Sequence, residues 1–402
     1  MKHIFIIGCK GIPSNYGGYE TFVENLTFYN ENSNIKYHVA CIGNDEREYE
    51  HNNARCFCVK VPNIGPAKAI VYDIKAIKKS IDYIIQNNIK NAIIYILACR
   101  IGPFLHHYNI IMKKNGIKLY INPDGHEWLR AKWSKPVKKY WKISEQLMVK
   151  EADLVICDSK NIEKYILESY SKYKPKTTFI AYGADLEKSK LSNESEELIN
   201  WYKEKKVKAS NYYLIVGRFV PENNYKTMIS EFMKSNTKKD LVIITNVEKN
   251  KFYEKLRKAT GFEKDSRIKF VGTVYEKELI KKIRENAFAY IHGHSVGGTN
   301  PSLIEALATT DLNLLFDVGF NREVAEDGAL YWNLENMNLA ELINKCDMLE
   351  NETLAKLSEN AKRRIKTEYT WNKIVSDYER VFWGDYNNER KNWLNYDSVS
   401  WL

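Results

Sequence analysis

The feature that most constrains the fold of this chain is a pair of successive series in which short apolar runs alternate with runs of helical periodicity. In the first half, strand-like residues 4–8 and 92–97 alternate with helical patterns such as 72–86, and residues 212–216 open a comparable series in the second half. Strands that alternate with helices predict a parallel sheet with helices on both faces. We therefore expect an α/β protein with two doubly wound, Rossmann-like domains facing a cleft, because ligands bind at the carboxyl ends of such strands.

The two series are separated by a charged stretch that contains Ser and Asn and few strand formers. A chain of 402 residues exceeds one ordinary core, so two domains are expected. We predict an N-terminal domain of residues 1–185, a linker with a short helix at 186–210, and a C-terminal domain of residues 211–370. A last helix is predicted within residues 371–385, followed by a tail at 386–402.

Charge and cysteine content narrow the class of partner. The 61 basic and 51 acidic residues give a formal charge of +10, which favours anionic partners such as phosphates or anionic lipid. Without an RNA-binding signature or zinc-finger spacing, nucleic acid is not expected as a partner.

Seven Cys without zinc-ligand spacing predict a reduced, intracellular protein. We expect neither a secretory signal nor a membrane-spanning segment, because every apolar run is far shorter than about 18 residues.

Two turns that follow predicted strands carry candidate phosphate ligands. Gly17 and Gly18 precede a helical pattern, and glycines let a backbone approach a phosphate at a helix N-terminus. A plain strand-to-helix turn is the alternative. Arg218 directly follows the strand at residues 212–216, so its guanidinium is expected to face the cleft and neutralise a diphosphate. A surface arginine is the alternative there.

The richest candidate site begins with a Gly-Gly pair after a strand. Gly297 and Gly298 precede Asn300 and Pro301, which have the pattern of a helix N-cap and first turn. The N-terminus of such a helix binds phosphate oxygens. Glu305 lies about one turn into the helix and is expected to accept a hydrogen bond from a ribose hydroxyl. Alternatively, it only complements the helix dipole.

These motifs together resemble glycosyltransferase family 4, whose members are retaining enzymes of the GT-B fold. The chain is more closely similar to the bacterial β-1,4-rhamnosyltransferases that place L-rhamnose on a lipid-diphosphate-linked sugar. The similarity runs over most of the chain, in the stretches 7–13, 16–24, 97–103, 122–125, 127–133, 217–224 and 297–306.

Two positions depart from the broad family pattern. The E-x₇-E motif of the family would place its first Glu, which contacts donor-sugar hydroxyls, at Gly297. The basic residue that usually follows the Arg five positions on is Asn223 here. The resemblance to the rhamnosyltransferases implies that both changes are subfamily features and that the donor carries a 6-deoxy sugar such as rhamnose.

The resemblance implies a complete donor site in the C-terminal domain. Glu305 is expected to bind the sugar ring of the nucleotide, residues 267–272 to lie against the base, and Arg218 with Lys226 to meet the diphosphate charge. The predicted donor-binding residues are Gly17, Gly18, Arg218, Lys226, Phe270, Val271, Gly297, Gly298, Thr299, Asn300, Pro301, Ser302 and Glu305.

Catalysis is expected to depend on positioning and charge stabilisation, since retaining transfer without a covalent intermediate needs little side-chain chemistry. Asp124 lies in a Pro-Asp-Gly turn after a strand and is predicted to orient the acceptor hydroxyl or to act as a base. An Asp selected only for its turn conformation is the alternative. Glu127, by resemblance, and Arg218 complete the predicted catalytic set. We expect no cofactor and no essential metal.

A basic, aromatic segment at residues 130–142 is predicted to meet the acceptor and the membrane. Cations with Trp and Tyr are typical of an anionic membrane surface, and a polyprenyl-diphosphate acceptor would require membrane contact. A solvated basic helix is the alternative. The predicted residues are Arg130, Lys132, Trp133, Lys138, Lys139, Trp141 and Lys142.

The resulting hypothesis is a peripheral enzyme on the cytoplasmic face of the plasma membrane. It would transfer L-rhamnose from dTDP-β-L-rhamnose to a lipid-diphosphate-linked glucose or N-acetylglucosamine during capsule or cell-wall polysaccharide synthesis. By resemblance, the N-terminal domain binds the acceptor and the last helix packs back on it. Two rivals are a family 4 enzyme for another sugar and a catalytically silent GT-B protein of a polysaccharide assembly complex.

Overall fold

The structure is a computed structural model that describes residues 1–14, 17–130, 132–247 and 250–385. The predicted tail at 386–402 lies outside the described residues. Within the described part, no helix has the length and apolar character needed to cross a membrane.

The N-terminal half is an eight-stranded sheet with helices on both faces. Its strand order is β3-β4-β2-β1-β5-β6-β7-β8, and only the β3–β4 pair is antiparallel. The strands are β1 Lys2–Ile7, β2 Ile35–Gly43, β3 Glu48–His51, β4 Ala54–Lys60, β5 Ile93–Leu97, β6 Lys118–Asn122, β7 Leu154–Cys157 and β8 Thr177–Phe179. The helices are α1 Gly18–Phe28, α2 Lys68–Gln86, α3 Gly102–Lys114, α4 Lys135–Glu151 and α5 Lys160–Ser169.

The C-terminal half repeats this architecture with six parallel strands, after the connecting helix α6 Glu196–Lys205. The order is β11-β10-β9-β12-β13-β14. The strands are β9 Tyr212–Val216, β10 Asp240–Ile244, β11 Ile268–Gly272, β12 Ala289–His292, β13 Asn313–Phe316 and β14 Leu330–Trp332. The helices are α7 Tyr225–Lys234, α8 Lys251–Thr260, α9 Lys277–Glu285, α10 Pro301–Thr309, α11 Gly319–Ala325, α12 Leu339–Cys346, α13 Asn351–Glu368 and α14 Trp371–Trp383. Two doubly wound sheets confirm the predicted α/β class.

Helix α14 packs on the first sheet rather than on the domain that precedes it. The Tyr378 ring lies 5.0 Å from that of Phe22, and the Tyr378 hydroxyl lies 3.2 Å from that of Tyr95 on β5. Trp371 packs against Gly183, where a Cβ would lie 2.4 Å from the indole ring. Residues of both halves, such as Ile4 and Ile304, therefore share one continuous buried cluster.

The chain between β14 and α14 forms two helices, α12 and α13. Helix α12 buries Leu339 and Ile343 in the core on one face of the second sheet. Helix α13 contributes Ala361 and Ile365 to the core that continues into the first half. The two helices pack into different cores, so the chain turns between Cys346 and Asn351 instead of continuing as one straight helix.

Candidate active site

The carboxyl ends of the two sheets face one cleft of about 1830 Å³. The first half contributes Asp124 after β6 and Asp158 after β7, and the second half contributes Arg218 after β9 and the turn that follows β12. Parallel strands place their carboxyl ends at one edge, which is why residues distant in sequence converge here.

The turn after β12 enters α10 as the sequence predicts. The Asn300 side chain caps the helix, because its Oδ1 accepts a hydrogen bond from the Ser302 amide at 2.9 Å. Pro301 occupies the first turn, and the Ser302 hydroxyl donates to the carbonyl of Val216 on β9 at 3.1 Å. The N-terminus of α10 is thereby fixed at the cleft, where its dipole favours an anion.

Glu305 lines the cleft and is held by a residue that the sequence reasoning missed. Its Oε2 lies 2.7 Å from Nη2 of Arg284 on α9, and the Arg284 side chain is only 7% exposed. Arg284 also donates to the Ser302 hydroxyl at 3.3 Å. The carboxylate of Glu305 is 40% exposed, so one partner fixes its position while an oxygen stays accessible from the cleft.

Arg218 lines the cleft, and Asn223 ties its loop to the turn after β12. The Asn223 amide nitrogen donates to the Arg218 carbonyl at 2.7 Å, and its Oδ1 lies 2.8 Å from Nδ1 of His294. Asn223 is the position at which the resembled family carries a basic residue. In this chain an amide connects two loops there instead of adding a charge.

Three predicted donor residues lie outside the cleft lining of the described chain. Lys226 is exposed on the first turn of α7, next to the buried Tyr225, so the helical rotation directs it to solvent. Phe270 packs between Phe219 and Phe262, and Val271 is 7% exposed. Side chains inside a strand point into the layers above and below the sheet. The residues that follow β11, Thr273, Val274 and Tyr275, reach the cleft instead.

The turn between β1 and α1 also lines the cleft, but a carboxylate of the chain already faces it. Gly17 has a φ of 131°, and a Cβ there would lie 1.8 Å from Oε2 of Glu20. Glu20 Oε1 accepts from the Lys10 amide at 2.7 Å. A phosphate at Gly17 and Gly18 would therefore lie next to the Glu20 carboxyl group, and the anion site expected there stays a prediction.

Asp124 and Glu127 differ sharply in their surroundings. Glu127 forms an ion pair with Arg130 and accepts from Lys132 Nζ at 2.9 Å and from Trp133 Nε1 at 2.9 Å. Burial acts to raise the pKa of Glu127, but Arg130 and Lys132 outweigh it and lower the pKa. This makes Glu127 a clamp for the segment that follows it, since its oxygens are already engaged.

Asp124 lines the cleft and is less tightly engaged than Glu127. It has a φ of 60°, and its nearest cation is Arg130 at 3.6 Å. Burial raises the pKa of Asp124, and Arg130 opposes this shift without cancelling it. A carboxyl with a raised pKa at a cleft is typical of a group that handles a proton or a substrate hydroxyl.

The basic segment at residues 130–142 does not form one uniform surface. Trp133 and Trp141 line the cleft with ring centroids 6.1 Å apart. Lys142 donates to the Tyr165 hydroxyl at 2.7 Å, and its Nζ lies 4.3 Å from the Trp128 ring, so it is directed into the domain. Lys138 donates to the Leu129 carbonyl at 3.1 Å and Lys139 is exposed. Lys142 is thus engaged within the domain, whereas the hydrogen bond of Lys138 is exposed, and the membrane role of this segment stays a prediction.

Comparison with known proteins agrees with this geometry. Residues 1–185 match the model of a family described as "Domain of unknown function (DUF1972)", and residues 199–364 match that of "Glycosyl transferases group 1". The C-terminal half of the chain is thus similar to the group 1 glycosyl transferases. The predicted glycosyltransferase family is confirmed at this level, and assignment to family 4 and to the rhamnosyltransferases stays a prediction.

One curated relative and several solved structures are similar to this chain. The relative, "Uncharacterized glycosyltransferase MJ1069" of Methanocaldococcus jannaschii, is 27% identical over 248 residues, which are 60% of this chain and 61% of the relative. Sucrose-phosphate synthase from Thermosynechococcus elongatus has a TM-score of 0.74 at 15% identity, covering 96% of this chain and 99% of that one. Anabaena Alr3699/HepE, solved with UDP and glucose, has a TM-score of 0.70 at 14% identity, with 96% and 100% covered. These similarities confirm the GT-B fold.

Proposed function

We propose that this protein transfers a sugar from a nucleotide sugar to an acceptor sugar with retention of configuration. The observation that carries the proposal is the convergence of Arg218, the capped N-terminus of α10 and Glu305 on one side of a cleft that Asp124 faces from the other domain. A guanidinium and a helix N-terminus together stabilise a diphosphate, and a carboxylate one turn away suits a ribose hydroxyl.

The donor we propose is dTDP-β-L-rhamnose. Gly297 offers no side chain where the resembled family carries a carboxylate for sugar hydroxyls, which is compatible with a 6-deoxy sugar. Glu305 supplies a single carboxylate, enough for the 3′-hydroxyl of a deoxyribose. One similar protein, Anabaena Alr3699/HepE, has been solved in complex with UDP-glucose, which supports the nucleotide-sugar class.

The chemical step depends on charge stabilisation and on positioning. As the bond between the anomeric carbon and the diphosphate breaks, Arg218 and the α10 dipole stabilise the charge that develops on the leaving oxygen. The acceptor oxygen forms the new bond to the anomeric carbon on the same face of the sugar, and the leaving diphosphate oxygen takes the proton of the acceptor hydroxyl. Asp124 orients this hydroxyl, and Arg130 and Glu127 hold the loop that carries Asp124 in place.

The acceptor we propose is a polyprenyl-diphosphate-linked glucose or N-acetylglucosamine, bound from the cytoplasmic face of the plasma membrane. On the N-terminal side, the cleft combines apolar and cationic lining, with Trp133, Trp141 and Val137 beside Lys10 and Lys132. Such a mixture suits a lipid with a charged diphosphate headgroup.

A donor panel tests this function. Purified protein is incubated with dTDP-L-rhamnose, dTDP-glucose, UDP-glucose and UDP-N-acetylglucosamine, each with a short-chain polyprenyl-diphosphate-linked N-acetylglucosamine or glucose. Acceptor-dependent release of dTDP from dTDP-L-rhamnose alone is expected. Faster turnover of another donor would refute the rhamnose assignment, and tight donor binding without turnover of any donor would favour a silent binding protein.

A further inference from the structure

A carboxyl group that the proposed reaction does not use lies at the centre of the cleft. Asp158 directly follows β7, lines the cleft and is only 4% exposed. Its Oδ1 is buried and, among the residues that the structure describes, has no hydrogen-bond partner. Buried polar atoms in native proteins are almost always paired, so an unpaired carboxylate oxygen at a cleft indicates a ligand that completes it.

The side chain of Asp158 lies against the Gly-Gly turn of the opposite domain. A Cβ on Gly298 would lie 2.0 Å from Asp158 Oδ1 and 2.8 Å from its Cγ, so only glycine leaves room for the carboxyl. The Thr299 hydroxyl donates to the Asp158 carbonyl and fixes the two loops together. The carboxyl thus belongs to the N-terminal domain but acts at the turn that leads into α10.

The position of Asp158 relative to α10 indicates which group of a ligand its carboxyl can bind. The Asn300 cap and Pro301 start that helix two residues beyond Gly298, and a diphosphate at this N-terminus would carry its sugar next to the Gly-Gly turn. Gly297, with a φ of 130°, contributes no side chain to that space. A sugar hydroxyl is a suitable partner for a carboxyl, because it both donates and accepts hydrogen bonds.

The electrostatic surroundings agree with a hydroxyl partner. Burial, and then the nearby Asp124 carboxylate, raise the pKa of Asp158 well above its usual value. A carboxyl that keeps its proton can donate to one oxygen of a neutral sugar and accept from another. An anionic partner, by contrast, would meet two acidic side chains at this point.

We propose that Asp158 hydrogen-bonds a ring hydroxyl of the sugar carried by the nucleotide donor and thereby helps to select that sugar. This proposal rests on the proposed function and adds to it a specificity-determining residue from the N-terminal domain. It also accounts for Gly298, whose missing side chain gives the carboxyl access to the turn.

The test compares the nucleotide with the nucleotide sugar. The variants are Asp158→Asn, which keeps the size of the side chain, and Asp158→Ala; the matched control is Asp153→Asn, which lies just before β7 and accepts from the Leu119 amide. Calorimetric titration of each variant with dTDP and with dTDP-L-rhamnose is paired with a thermal-unfolding scan. We expect the affinity for dTDP to stay within about twofold in both variants. The affinity for dTDP-L-rhamnose should fall about 10-fold or more in Asp158→Ala and less in Asp158→Asn, whose amide also donates and accepts hydrogen bonds.

Each outcome decides between distinct explanations. Equal losses for dTDP and dTDP-L-rhamnose would mean that Asp158 acts only through the shape of the turn, and unchanged dTDP-L-rhamnose binding would mean that it has no sugar contact. Either result overturns the proposal and leaves the proposed function standing. If Asp158→Ala does not fold, Asp158→Cys, which is similar in size but only a weak hydrogen-bonding group, decides in its place. A wild-type protein that binds no nucleotide sugar overturns the proposed function together with this inference.

Discussion

Replacing Glu305 by Gln tests the donor site where its geometry is best defined. The Gln side chain keeps an oxygen that can accept a hydrogen bond from Arg284, whose Nη2 lies 2.7 Å from the Glu305 carboxylate. The fold should therefore be retained. The charge-assisted hydrogen bond to the nucleotide ribose becomes a neutral one. A hydrogen bond to a charged group contributes about 1.5–3 kcal/mol and a neutral one about 0.5–1.5 kcal/mol, so the substitution should cost about 1–1.5 kcal/mol. Because the Glu305 side chain is 40% exposed, solvent screening favours the lower part of that range.

This loss corresponds to about a 5- to 10-fold weaker affinity. We expect it for both dTDP and dTDP-L-rhamnose, because the contact is to the nucleotide rather than to the transferred sugar. Calorimetric titration measures both. The matched control is Asp347→Asn, which removes a carboxylate paired with Lys239 at 3.0 Å outside the cleft. Unchanged donor affinity in Glu305→Gln, with normal thermal unfolding, would refute the assignment of Glu305 to the donor site.

Three further predictions concern the diphosphate, the acceptor hydroxyl and the membrane. Arg218→Ala should lower kcat about 100-fold or more, measured as dTDP release, because it removes charge stabilisation of the leaving group; a loss below tenfold would contradict that role. Arg130→Gln should shift the acidic limb of the pH profile of kcat/KM to higher pH. The reason is that Arg130 opposes the burial that raises the pKa of Asp124, so its removal should raise that pKa further. A shift to lower pH would exclude Asp124 as the titrating group. Lys139→Glu should weaken binding to anionic liposomes and leave turnover of a water-soluble acceptor unchanged, whereas Lys366→Glu, on exposed α13, should change neither. Equal liposome binding by both variants would place the membrane contact elsewhere.

The sequence predicts the fold well where apolar periodicity is strong. The strand at residues 212–216 and the helix at 371–383 have the predicted bounds, because each buries a regular apolar face. Helices α3 and α5 were not predicted. Their first turns follow directly from buried strand ends, and α5 is short and rich in charged residues. Tertiary packing, which the local pattern does not contain, stabilises such segments.

Only part of the candidate site could be predicted from the sequence. Residues that follow the carboxyl end of a strand, such as Arg218 and Asp124, reach the cleft as expected, because the topology alone places them there. The same reasoning applied to Asp158, directly after β7, would have found it. Phe270 lies inside a strand, so its side chain packs in the core and only its backbone could take the role predicted for this segment. The Arg284–Glu305 pair joins two helices and follows no sequence spacing, so only the folded chain shows it.

The mass of the acceptor after reaction tests the central claim most directly. Wild-type protein, dTDP-L-rhamnose and a short-chain polyprenyl-diphosphate-linked sugar are incubated together and the lipid product is analysed by mass spectrometry. We predict that the acceptor gains the mass of one deoxyhexose residue while an equal amount of dTDP is released. An acceptor of unchanged mass with all four donors of the panel, in the presence of protein shown to be folded, would contradict the account of this cleft as a site of glycosyl transfer.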